Sequence, residues 1–135
     1  MVAVVILAVM AVATLGFVYQ ARTRSVRLRD QRAALMLAGS RLEEVRSALY
    51  TNVDPTANNY NAFYLDRIGG TWHVSTTDPG ETMPVGAVRK PIVTTVRFVD
   101  ADGSGASYDC IRITVSVTYG PDRDDAVTLE TIEGS

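Results

Sequence analysis

The chain is poor in the side chains that build most enzyme centres. Its 135 residues include one histidine, His73, and one cysteine, Cys110. A single cysteine excludes an intramolecular disulfide framework, and no Cys/His spacing suggests zinc. His73 alternates with Trp72 and Val74, and no serine, cysteine or carboxylate stands where it would complete a triad. It reads as a surface or edge residue. Glycine-rich phosphate loops, paired acids and nucleophile motifs are also missing. The sequence therefore predicts no catalytic residue and no cofactor.

Charge is missing from the first 19 residues. Residues 1–13 are an unbroken run of Ala, Val, Ile, Leu and Met. A helix of roughly 20 apolar residues spans a bilayer, so segment 1–19 is at the lower edge of sufficient length. The remainder is polar and reads as one small domain. The net charge of −2 conceals a division. Residues 20–50 hold seven Arg against Asp30, Glu43 and Glu44, whereas residues 51–135 hold six basic and twelve acidic side chains. Neither the apolar start nor the acidic remainder suits nucleic acid.

Residues 1–50 predict one continuous helix. No proline interrupts it, and Gly39 costs only about 1 kcal/mol relative to alanine. Leu35, Ala38, Leu42, Val45 and Leu49 recur at spacings of three and four and form an apolar stripe. Arg41, Glu43, Glu44 and Arg46 fall off that stripe, with Glu43 and Arg46 placed for an i,i+3 contact. Fifty helical residues measure roughly 75 Å. No small domain can bury such a rod. Its first part, including Val4, Val5, Leu7, Val9, Leu15 and Phe17, must sit in lipid or among other helices.

Asn52, Asp54 and Pro55 should end the helix. A polar and aromatic connection follows, with a short helical turn expected around 61–67, closed by Gly69-Gly70. Four strands are expected, at 71–76, 91–99, 109–119 and 125–132. In the third, Ile111, Ile113, Val115, Val117 and Tyr119 alternate with Cys110, Arg112, Thr114, Ser116 and Thr118, the pattern of a sheet with one dry face. That alternation puts Cys110 on the polar side as a free thiol. The connections DADGSGAS, from Asp100, and Gly120-Pro121-Asp122 are rich in turn formers, favouring an antiparallel meander. Tyr60, Phe63, Tyr64 and Trp72 are expected in the head core. The sheet's apolar face needs a cover, and the Leu35–Leu49 stripe supplies one. The expected fold is α+β: a helical stem, 1–50, packed by its second half on a small antiparallel sheet of about four strands, 51–135.

At this point the sequence resembles a known family. MVAVVILAVMAVATLGFV, then a polar helix, then AGSRLEEVRS is similar to the stems of type IV pilins and type II secretion pseudopilins, minor subunits especially. The shared pattern A-x-x-x-L-E-x-[LV]-R falls on Ala38, Leu42, Glu43, Val45 and Arg46. The resemblance implies a structural filament subunit, with other pilin or pseudopilin subunits and the bacterial inner membrane as partners, and a head in the periplasm or outside the cell. It also implies processing and methylation by prepilin peptidase at a Gly-Phe-Thr-Leu-x-Glu motif, which is expected upstream of Met1. Attraction between the positive stem and negative heads of neighbouring subunits is a further expectation.

Three other readings compete. Basic residues following an apolar helix tend to stay cytoplasmic, which would put the head inside the cell and cuts against the pilin topology; the runner-up is a single-pass anchored sensor or binding module. Ala11-Val12-Ala13 is similar to a signal-peptide cleavage site, although the basic region that precedes such a site is absent. Asp100 and Asp102 resemble the opening of a calcium loop, but the twelfth position is Ile111 where a bidentate glutamate is needed. A plain hairpin turn is the favoured reading of that segment.

Overall fold

A computed structural model describes residues 2–52, 62–86, 88–99, 110–120 and 125–134. One helix, α1 (Val2–Asn52), precedes β1 (Ala62–Ile68), β2 (Thr71–Ser75), β3 (Thr82–Val85), β4 (Val88–Val99), β5 (Cys110–Tyr119) and β6 (Asp125–Gly134). At 1.5 Å per residue the helix is roughly 77 Å long. The expected helix breakers Asp54 and Pro55, the aromatic Tyr60, and Asp100 and Asp102 of the candidate calcium loop lie outside the described residues.

The sheet is antiparallel, with strand order β2-β1-β4-β5-β6 and β3 paired to β4 off that path. It has six strands where four were expected, and both additions have a physical reason. The segment expected as a helical turn is β1, in which Phe63 and Leu65 alternate inward and are buried. Gly69 and Gly70 do not close a helix; both have positive φ, 58° and 91°, and join β1 to β2 with Ile68 opposite Thr71. Two consecutive left-handed residues make the hairpin turn whose twist matches paired strands. The second addition, β3, carries Pro84, which has no amide to donate. An edge strand tolerates that loss, and Pro84 lies opposite Arg89 in a strand bonded only to β4.

Strand alternation sets the two faces. Ile92, Thr94, Val96 and Phe98 of β4 stand opposite Val117, Val115, Ile113 and Ile111 of β5. Together with Phe63, Leu65, Val85 and Tyr119 they form the core against α1. Phe63 and Phe98 meet in a tilted pair with centroids 5.7 Å apart, a favoured aromatic arrangement. The opposite face is polar: Thr128 Oγ1 lies 3.2 Å from Ser116 Oγ, and Arg112 pairs with Glu130 at 3.2 Å. Cys110 sits on that face, half-buried, its thiol 3.7 Å from the Val99 carbonyl oxygen.

Thr94 is the anomaly in the core. Its hydroxyl is buried with no hydrogen-bond partner. A buried donor without a partner forfeits the bonds it made to water. Thr94→Val keeps the shape and removes that loss, so stability should rise by about 1 kcal/mol, read as a higher urea midpoint at unchanged slope.

Candidate functional site

The helix divides into two parts by what touches it. Every described side chain from Ala3 to Arg29 is exposed, and Asp30 is the first that is not. Val4, Val5, Leu7, Val9, Leu15 and Phe17 are between 62% and 73% exposed. These residues point in all directions round the helix, so no face of the first half is covered by the described residues of the head. Full burial of such a side chain is worth about 1.5–3 kcal/mol. A water-exposed rod of this composition would forgo that gain many times over. The helix is long and apolar enough to cross a membrane.

The second half grips the head. Ala34, Ala38, Val45 and Ala48 are buried, with Leu37, Leu42 and Leu49 packed beside the core. The buried row runs Ala34, Ala38, Arg41, Val45, Ala48, and its alanines let the helix backbone come close to β5 and β6. Of the five stripe residues expected from sequence, Ala38 and Val45 are buried and Leu42 and Leu49 flank the contact. Leu35 is a correction: it is 48% exposed. One residue is about 100° of helical rotation, and the close contact at Ala34 turns its bulkier neighbour outward.

Arg41 is the second correction. Expected off the stripe, it is only 2% exposed. A buried guanidinium requires compensation, and three side chains supply it. Arg41 forms an ion pair with Glu81, just before β3, and its Nη1 lies 3.7 Å from the Glu44 carboxylate. Its guanidinium carbon sits 4.8 Å from the centre of the Trp72 ring. Arg67 approaches the same ring at 5.9 Å and donates to Glu44 at 3.0 Å. Two cations, two carboxylates and one indole thus tie α1 to the β1–β2 hairpin and to β3. Arg41 Nε has no hydrogen-bond partner. Sequence reasoning missed this cluster because periodicity marks apolar positions, whereas Arg41 is buried by its partners. The available signal was Arg41 falling three or four residues from Ala38 and Val45.

On the other flank two ion pairs fix β6 along the helix. Arg27 reaches Asp125 at 2.7 Å, and Arg46 bonds to Glu133. The helical anchors are separated by roughly 28 Å and the strand anchors by roughly 27 Å, so β6 runs alongside α1 in the same direction. Arg46 also holds Glu43 at 3.1 Å. That hydrogen bond, then the charges of Glu133 and Glu43, raise the Arg46 pKa above its ordinary value. Glycine matters at one point on this docked surface. Gly86, in the turn between β3 and β4, has φ 64°, and a Cβ there would lie 3.3 Å from the Asp30 carboxylate.

His73 is exposed on β2, Tyr64 is half-buried, and Trp72 is half-buried within the cluster described above. Among the described residues no three His, Cys, Asp or Glu side chains gather as a metal site. The described residues present a bare apolar rod joined to a docked head. Comparison with known proteins gives no matching family model, no matching curated protein and no matching solved structure.

Proposed function

We propose that this chain is a structural subunit of a filament of the type IV pilus or type II secretion kind, in the manner of a minor pilin or pseudopilin. The observation that carries the reading is the contrast along α1: its distal half is committed to its own head, while its apolar first half has no partner among the described residues. A subunit stored in the inner membrane and then drawn into a bundle of stems uses such a rod in both states. Each state surrounds it with apolar atoms, so transfer between them is not steeply uphill. The motif residues that resemble the family also take physical meaning here. Ala38 and Val45 bury the stem against the sheet, and Arg46 reaches across to Glu133.

The expected attraction between stem and neighbouring heads is narrowed by one contact. Arg27 already pairs with Asp125 of its own chain. Any attraction of this kind falls to Arg22, Arg24 and Arg29.

A single-pass anchored module is favoured by one feature, the arginines that follow the apolar segment. Crosslinking in the native cell separates the two readings. In a Cys110→Ser background, Leu15→Cys should give a stem-to-stem crosslinked dimer, and Ala38→Cys, buried against its own head, should give none. Monomer alone from Leu15→Cys would favour the anchored module.

A further inference from the structure

Four arginines, Arg22, Arg24, Arg29 and Arg32, are exposed and enter no ion pair among the described residues. They begin three residues after the uncharged segment ends at Tyr19. Among the described residues the first contact between head and helix on this side is the Arg27–Asp125 pair, and Asp30 beneath Gly86 follows it. That pair lies roughly 12 Å along the helix from Tyr19. That length is about twice the interfacial layer of a bilayer, which occupies roughly 5–7 Å on each side of the hydrocarbon, so the layer fits between Tyr19 and the pair.

We infer that Arg22 and Arg24 form a collar for anionic phospholipid headgroups, with Arg29 and Arg32 contributing less. Three features define that chemistry. Arg24 lies about 200° round the helix from Arg22, so the collar meets headgroups on both sides of the rod. Helical side chains lean toward the helix N-terminus, here the bilayer, and arginine extends its charged end to the headgroup level along an apolar stem. The guanidinium fork also matches the oxygens of a phosphodiester. Depth orders the four: by helical rise Arg22 and Arg24 lie within roughly 8 Å of Tyr19, but Arg29 and Arg32 lie roughly 15 and 20 Å away. The surface field decays over about 8–10 Å. The inference needs only a membrane-embedded helix and stands or falls separately from filament assembly.

The test is lipid selectivity of the full chain in vesicles of three parts phosphatidylcholine to one part phosphatidylglycerol. Spin-labelled analogues of each lipid report which is retained at the protein surface. A basic side chain near a charged membrane is worth a factor of about five in association. The wild-type protein should prefer phosphatidylglycerol severalfold, and molar salt should abolish the preference. Arg22→Gln/Arg24→Gln should remove most of it, Arg29→Gln/Arg32→Gln much less. Unchanged Trp72 fluorescence in both variants shows that the head remains folded. Equal losses in the two double variants, or none, would overturn the inference, because bulk charge has no depth order. Displacement of the labelled lipid by millimolar glycerol phosphate would overturn it too, marking a site for soluble anions. Absence of insertion into these vesicles has the same consequence.

Discussion

Arg41→Met should destabilise the head by about 3 kcal/mol, near the lower end of the cost of removing one partner from a buried ion pair. The charge that disappears is 2% exposed, and it is the ion partner of Glu81 and the cation over the Trp72 face. Methionine fills a similar volume, so the loss reports electrostatics more than a void. For a domain of this size the midpoint should fall by more than 10 °C, at about 4–8 °C per kcal/mol. Trp72, the chain's only tryptophan, provides the signal. Adding Glu81→Gln should recover part of the loss, since the second substitution removes the charge left alone. A coupling energy above about 1 kcal/mol in the double-mutant cycle is expected for groups in contact. An Arg41→Met protein as stable as the parent would show that the cluster does not hold the helix to the hairpin.

Ala38→Asp should cost more, about 4 kcal/mol or above. Ala38 is fully buried between the helix and the sheet; a carboxylate there loses its water, and the nearest cation in the buried row, Arg41, is already engaged by Glu81 and Glu44. The same change at Leu35, three residues earlier and half-exposed, should stay within about 0.5 kcal/mol. The pair forms a direct test of which face of α1 is docked. Urea titrations of the two variants settle it, and equal effects would place the contact elsewhere on the helix.

Those two positions also show what was legible in the sequence. The rod was, because the uncharged segment and the absence of proline up to Pro55 leave helix as the natural structure for residues 1–50. So was β5, whose ten residues alternate strictly under a buried face. The angle of the stem was legible only in part. Leucines dominate a hydrophobic periodicity, whereas the closest approach of a helix to a sheet falls where side chains are small, at Ala34 and Ala38. β1 and β3 were hidden for different reasons. β1 is short, and its inward pair, Phe63 and Leu65, was outweighed by the polar residues around it; the Gly69-Gly70 dipeptide was the overlooked hairpin signal. β3 contains a proline that only its edge position permits. The Arg41 cluster draws on α1, β1, β2 and the residue before β3, and no local pattern announces four segments meeting.

The account depends on α1 being one rod, free in its first half and held in its second. Spin labels at Val12→Cys and Ser40→Cys, in a Cys110→Ser background and with the protein in lipid nanodiscs, measure this directly. Both positions are exposed. Pulsed dipolar spectroscopy should return a single narrow distribution centred near 42 Å, the rise of an unbroken helix over that interval. A broad distribution, or a mean shortened by about 10 Å as a sharp bend near Gln20 would produce, would contradict it.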